Sequence, residues 1–481
     1  MPSTDFYPVI APALTGIGGL LVLLIGVWPR LKDAALVAFY ASIVLLLGAM
    51  AVLLAPHEAA GFERFISLDP VNRHGWLLFT AGGLATLLLA WRDRQLLGEV
   101  DEQFCSLVLF AVTGTYLLSA ATNLLAAFIG MELTALSVMA MIAWQPQRKG
   151  AIEAAIKYAI TATVSGSIML FGIVLMYAGS GSLYLDAIPG NLGGERTNET
   201  LVIVGLAMVL VGIAFELAVA PFHCWLADVF QGSSSPVTAF IASVGKIAML
   251  LFLLNLADQL SGLWPAIHGV IIGMVVLSVV WGNLAALRQS NLKRMLAYSS
   301  VAHFGYVLLA LTAISGDADG NADLLQAAAY YGLSYAVMNM VSFAVIGLLS
   351  GINPSADLEG YRGMGRRYPL LGVALAIAVL SLAGIPPTAG FFGKLFVFTQ
   401  ALNQGQLGLV IIASLAAASS LFYYLRILVV FFSVPSNEVS EEADIALQGD
   451  AVVMGPTLVI SLSTAAVLLI GLCAGTVLTF I

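Results

Sequence analysis

Charge is what this sequence lacks most: only 10% of its 481 residues are Asp, Glu, Lys or Arg, against 60% hydrophobic. Soluble domains carry about 25% charged residues, so water is excluded as the main solvent of this chain. Cysteine is almost missing too. Cys105, Cys224 and Cys473 stand far apart, without the spacing of a metal site or a disulfide framework, and are expected to be reduced packing residues. Of the five histidines, two lie well inside apolar runs, with no spacing that would hold a haem. Long polar stretches are absent between the apolar runs, which leaves no room for a soluble catalytic domain. The opening MPSTDFYP carries an acid and no basic region, so the first apolar run is expected to stay as a helix rather than leave as a signal.

What is abundant is hydrophobic length. A run of about 20 apolar residues spans the hydrocarbon core as a helix, and inside lipid only helices or closed barrels satisfy their own backbone. We read fourteen spans, at 8–28, 34–54, 74–91, 104–122, 123–144, 152–178, 200–222, 236–259, 266–287, 295–313, 325–349, 371–398, 407–432 and 453–480. The fold class expected is an all-α polytopic membrane protein. Of the nineteen Lys and Arg residues, twelve fall in loops after odd-numbered spans, among them Arg30, Lys32, Arg94, Arg148, Lys149, Arg288, Lys293 and Arg294. Only Arg64, Arg73 and Arg196 follow even-numbered spans. The positive-inside rule then puts both termini on the non-cytoplasmic side, with acidic loops such as SNEVSEEAD outside.

Two spans are interrupted by proline: the seventh at Pro221 in VAPFH, and the twelfth at Pro386 in SLAGIPPTAGFFGK. Broken helices near the midplane expose backbone groups and half-helix ends to a polar cavity. Five spans separate the two, an odd number, so the broken helices run in opposite directions. That predicts two inverted five-helix units, spans 4–8 (residues 104–260) and 9–13 (261–435), preceded by three helices (1–103) and followed by a last one (436–481).

Ionisable side chains inside a membrane are costly and mark function by default. Glu132, Lys157, Glu216, Lys246 and Lys394 fall within spans, with Glu153 able to pair with Lys157 four residues on. His223 and His303 add groups that titrate near neutrality. Groups within water-chain reach whose proton affinities respond to one another form a proton relay. Blander readings stand beside it: Lys157 can snorkel from a helix end, His223 and His303 can be satisfied packing histidines, and Arg426 reads as structural or interfacial.

The motifs are specific enough to carry a resemblance. GMEL around Glu132, AAIKY around Lys157, APFHCWLADVFQGSSSPV, GKIA around Lys246, WGNLAALRQSNLKRMLAYSSVAHFGY, and LAGIPPTAGFFGK followed by YYLRI together resemble the proton-translocating antiporter-like membrane subunits of respiratory complex I, in particular their subunit N branch. The resemblance covers residues 100 to 435. It implies a translocase subunit of an NADH:quinone oxidoreductase in the bacterial inner membrane, embedded among other membrane subunits in the lipid bilayer and linked through them to a peripheral redox arm. It implies no cofactor on this chain; NADH, FMN, iron–sulfur clusters and quinone belong to partner subunits, and no nucleic acid is involved. It also implies roles: Glu132 as the fifth-helix glutamate, Lys157 as the sixth-helix lysine, Lys246 as the central lysine, His303 as the histidine after the LKRMLAYSS loop, and Lys394 as the lysine of the second broken helix.

One position departs from that pattern. Where the family has a lysine on the seventh helix, five residues before the PFH proline, this chain has Glu216. Two carboxyls held close share a proton, so the input half of the relay has an altered charge sequence. Glu216 then still relays protons, or the half-channel is weakened, or the chain serves a complex with another electron donor. A subunit of a multi-subunit cation/proton antiporter is the alternative function.

Overall fold

The computed structural model describes residues 6–25, 34–55, 59–61, 65–92, 102–144, 150–192, 194, 197–315, 321–351, 353–434 and 450–480. Arg30, Lys32, Arg64, Arg94, Arg148, Lys149, Arg196 and the SNEVSEEAD stretch, used in the loop-charge argument, lie outside these residues.

Each expected span is occupied by helix. The main helices are α1 (Tyr7–Ile25), α2 (Ala34–Leu54), α3 (Pro70–Arg92), α4 (Glu102–Ser119), α5 (Leu124–Ile142), α6 (Ala151–Ser180), α7 (Glu199–Glu216) and the short α8 (Leu226–Gly232). After these come α9 (Ser235–Gln259), which contains a π-helical turn at Ile241–Gly245, α10 (Trp264–Leu287), α11 (Leu292–Leu311) and α12 (Asn321–Leu349). The series ends with α13 (Pro369–Ala383), α14 (Ala389–Asn403), α15 (Leu407–Phe432) and α16 (Asp450–Leu472). Among the described residues twelve helices are long and apolar enough to cross a membrane, and the chain is a multi-pass membrane protein. A two-stranded antiparallel hairpin, Ala59–Gly61 with Ile66–Leu68, lies outside them.

Local chemistry sets the helix ends. Asn123, Asn198 and Asn291 cap α5, α7 and α11, their side chains accepting from Leu125, Leu201 and Arg294 amides, the usual use of asparagine at that position. Gly181 closes α6 at φ 73, a left-handed conformation that costs glycine little. Of the cysteines, none of them in a disulfide, Cys105 is buried as expected, but Cys224 and Cys473 are exposed on the chain. Their positions on outward faces, beside a helix break and between two C-terminal helices, put them outside the packing.

Two helices occupy the centre. The most apolar stretches of α9 and α12 are 94% and 89% buried, against 28% for α2 and for α16. The outer helices instead present leucine, isoleucine and phenylalanine outwards, such as Leu46, Leu53, Phe171 and Leu415, as lipid solvation allows. In lipid, close backbone approach replaces hydrophobic burial as the source of helix association. Along the α6–α7 contact Gly172 and Gly205 meet: a Cβ on either falls 2.6 Å from the other's carbonyl oxygen.

The helix carbonyl ends show a second regularity. The last carbonyls of a helix lack intrahelical donors and carry the negative end of its dipole. Here cations from other parts of the chain sit on them. Arg73 donates to Ala55 O after α2 at 2.6 Å, and Lys293 to Ser233 O after α8 at 3.0 Å. Arg426 donates to Leu287 O at 3.3 Å and to Gln289 O after α10, and Arg366 to Phe432 O of α15 at 2.6 Å. Arg426, the in-span arginine, is thus a structural clamp.

Overpacking a filled interface costs about 1–3 kcal/mol. Gly205→Val is therefore expected to lower the thermal midpoint of the purified protein by several degrees, while Gly190→Val, where nothing lies within 4 Å of a Cβ, leaves it unchanged in the same melt.

Candidate functional site

Both proline interruptions break their helices in the same way. In the first, α7 ends at Glu216, Ala218 takes φ 55, the Ala220–Pro221 bond is cis, and helix resumes in α8. In the second, α13 ends at Ala383, Gly384 takes φ 85, Pro386–Pro387 is cis, and α14 follows. The positive-φ residue stands three before the cis proline each time, so Ala218 matches Gly384 and Pro221 matches Pro387, with Pro386 one position earlier. Pro221, Pro386 and Pro387 lie at the surface of the chain.

Backbone groups freed inside lipid must find partners within the protein. At the first break the Ala220 amide donates to Ser278 Oγ at 3.0 Å, and Trp225 Nε1 to Phe215 O at 3.0 Å. At the second, the Gly390 amide donates to Ser381 Oγ at 3.0 Å. One carbonyl at the first break and two at the second take lysines. Lys246, 1% exposed on α9, donates to Leu217 O at 2.9 Å. Lys394, on α14, donates to Leu382 O at 2.9 Å and Ala383 O at 3.0 Å. Leu217 and Ala383 are the matching residues immediately before the positive-φ position, so the two buried lysines hold equivalent carbonyls. One reaches it from the next helix and the other from the second half of the same helix.

Between the lysines runs a polar chain. Lys246 also donates to Ser300 Oγ at 2.6 Å and sits 4.8 Å from the centre of the Phe304 ring. Next to Ser300, Ser299 Oγ is hydrogen-bonded to the Tyr424 hydroxyl. His303, 2% exposed and one turn further along α11, meets Tyr424 at Nε2 (3.0 Å) and Tyr331 at Nδ1 (2.9 Å). Tyr424 packs on Tyr423 with ring centres 4.4 Å apart. Tyr423 donates to Asn283 Oδ1 at 3.1 Å, and Asn283 Nδ2 donates to Tyr306 at 2.8 Å. The Lys394 ammonium lies 5.5 Å from the centre of that Tyr306 ring.

The acids gather on the other side of Lys246. Glu216 is 9% exposed, the last residue of α7, and accepts from the Tyr158 hydroxyl at 3.5 Å. Glu132, half-buried on α5, lies against Gly166 of α6 and within electrostatic reach of both Glu216 and Tyr158. Glu216 is likewise within electrostatic reach of Lys246, whose own bonds go to Leu217 and Ser300.

Lys157 and Glu153 stand apart from this group. Lys157 is 44% exposed and pairs with Glu153 at 2.7 Å and Asp228 at 2.6 Å. Arg294 completes the cluster, 2.5 Å from the second Asp228 oxygen. His223 is half-buried in the first break, its ring 6.4 Å from Tyr298. Among the described residues no group of three or more His, Cys, Asp or Glu converges as metal ligands would.

Sequence reasoning passed over Asp228, Ser300, Tyr331 and Tyr424. Asp228 had a signal: it stands seven residues beyond Pro221, as Lys394 stands seven beyond Pro387. The paired tyrosines Tyr330–Tyr331 and Tyr423–Tyr424 inside apolar runs were another.

A multi-pass bundle with two matched helix breaks and buried lysines on their carbonyl ends defines an antiporter-like membrane subunit. Residues 121–420 match the family described as NADH:quinone oxidoreductase/Mrp antiporter, TM. The chain is 37% identical over 365 residues to the NADH-quinone oxidoreductase subunit N of Geotalea uraniireducens, covering 76% of each. It is 35% identical over 442 residues to that of Geobacter metallireducens, covering 91% of each. Among solved structures it superposes on a chain of respiratory complex I from Thermus thermophilus with bound aureothin, with TM-score 0.80, 33% identity and 98% of each chain covered. The chain belongs to the NADH-quinone oxidoreductase subunit N family.

Leaving a buried hydrogen-bonding group without its partner costs about 1–3 kcal/mol. Lys246→Ala strips the partner from Leu217 O and Ser300, so its thermal midpoint in detergent is expected to fall. Lys157→Ala, in a solvent-screened ion pair, leaves the midpoint within error of the parent.

Proposed function

We propose that the chain is a membrane-arm subunit of a bacterial NADH:quinone oxidoreductase that couples quinone reduction to proton translocation. Its relay runs through Glu132, Glu216, Lys246, His303 and Lys394, with Lys157 and Glu153 at its edge and His223 in the first break. The observation that carries this reading is the pair of buried lysines, each held on the carbonyl end of an interrupted helix, with a row of buried polar side chains lying between them. A charge so placed is expensive to keep in lipid, and a relay gives it a use.

The layout follows from the same reading. Residues 104–260 and 261–435 form two inverted five-helix units, flanked by 1–103 and 436–481, with both termini on the non-cytoplasmic side of the inner membrane. NADH, FMN, iron–sulfur clusters and quinone are handled by partner subunits, reached through neighbouring membrane chains. Glu216 works as a protonatable group in place of a base, sharing protons with Glu132 across Tyr158. The matching family also names Mrp antiporters, so cation/proton exchange is the second reading; NADH-driven pumping tells the two apart.

Two results test it. In membrane vesicles carrying the assembled complex, Lys246→Ala or Lys394→Ala is expected to reduce NADH-driven proton uptake several-fold, and undiminished uptake in both would refute the relay. In the same vesicles Glu216→Gln is expected to slow pumping while Glu216→Lys retains it. Full pumping by the Gln variant would remove Glu216 from the path.

A further inference from the structure

Among the described residues, His303 is the one imidazole whose two nitrogens are both held by buried phenols. Tyr424, 1% exposed, lies on Nε2, and Tyr331, fully buried, lies on Nδ1. The three come from three helices, α11, α12 and α15, so the arrangement is not an accident of local sequence. Each end adjoins, through one residue of sequence, a group next to a lysine. Tyr424 bonds Ser299, the neighbour of the Ser300 that accepts from Lys246. Tyr331 packs its ring on Gly393, the neighbour of Lys394, so closely that a Cβ there would meet its Cδ2 at 2.6 Å. The other titratable groups around the ring are Tyr306 on α11 and Tyr335 on α12, with ring centres 5.9 Å and 5.4 Å away, and Lys394 on α14 within electrostatic reach.

A neutral imidazole has one N–H donor and one bare nitrogen acceptor. Between two phenols it therefore has two states. In one, Nε2–H donates to the Tyr424 oxygen while Tyr331 donates to Nδ1. In the other, Tyr424 donates to Nε2 while Nδ1–H donates to the Tyr331 oxygen. The choice propagates, because a Tyr424 that donates to His303 must accept from Ser299, and one that accepts from His303 is free to donate to it.

We propose that Tyr424, His303 and Tyr331 form a one-proton wire between the two lysines, with the two tyrosines as further proton-carrying residues. The idea rests on the proton-relay reading above. In a forward step a proton arrives on the Tyr424 oxygen from the Ser299 side, and the Tyr424 proton moves to Nε2. The Nδ1 proton passes to the Tyr331 oxygen, which releases its own proton towards Lys394. One proton enters and one leaves, and no bond between heavy atoms changes. The imidazole is left as the other tautomer with every hydroxyl reversed. A second proton in the same direction must wait for the hydroxyls and the imidazole proton to be reset, so the wire passes protons singly rather than as a continuous water file.

The test uses the assembled complex in vesicles, with NADH oxidation and proton uptake read together. Tyr424→Phe and Tyr331→Phe are each expected to lower protons moved per NADH several-fold. Replacing Tyr424 with 3-fluorotyrosine, which keeps shape and hydroxyl but makes the phenol more acidic, is expected to preserve pumping and to shift its pH profile to lower pH. A merely structural tyrosine would leave that profile in place. Lys394→Ala serves as the reference. If it abolishes pumping while both Phe variants pump normally, the wire is wrong and the relay reading survives. If Lys394→Ala itself pumps normally, the relay reading fails first. An unmoved pH profile in the fluorotyrosine variant would also overturn the wire.

Discussion

In a hydrocarbon solvent, every backbone group released by a broken helix must be satisfied by the protein itself, and at the two breaks here the donor at the last carbonyl is a buried lysine. Leu217 O takes Lys246, and Leu382 O and Ala383 O take Lys394. The same solution recurs at ordinary helix ends, where Arg73, Lys293, Arg366 and Arg426 cover terminal carbonyls. The dipole end and the cation stabilise each other, which lowers the cost of keeping an ammonium in lipid and of interrupting a helix there. The arginines keep their charge throughout. A lysine can give its proton up, so the caps at both breaks, Lys246 and Lys394, are titratable, as is Lys293 after α8.

That difference joins the architecture to the proposed chemistry. A charged donor bonds a carbonyl more strongly than a neutral one, so a lysine that passes on its proton loosens its grip on the broken helix. Proton position and backbone geometry are then one variable at each break. In the proposed relay, the acids Glu132 and Glu216 on one side of Lys246 and the phenols around His303 on the other are the groups that time its departure. The glycine contacts that bring α6 and α7 together hold the acids and Tyr158 within reach of each other.

Much of this was legible in the sequence. Hydropathy placed the helices because length and apolarity alone decide what can cross a membrane, and Pro221 and the Pro386–Pro387 pair marked the breaks because proline removes a donor. Lys246, Lys394, Glu216 and His303 stood out because charge inside a span has to be explained. The geometry at the centre was not legible. That Lys246 bonds a carbonyl rather than a carboxylate depends on where α9 meets the end of α7, a long-range contact with no local trace. Tyr331 and Tyr424 were hidden because tyrosine in an apolar run is ordinary. The Lys157–Asp228–Arg294 cluster joins α6, α8 and α11, residues far apart in the chain, and only the matched spacing beyond the two cis prolines hinted at Asp228.

In the proposed mechanism, protonation of the buried lysines is coupled to closure of the broken helices. Hydrogen–deuterium exchange of the assembled complex in membranes, resting and during NADH turnover, measures it directly in peptides spanning residues 217–226 and 382–390. Amide exchange at both breaks is expected to quicken during turnover and to revert when electron transfer is blocked. Exchange that stays the same at both breaks while protons are being pumped would contradict it.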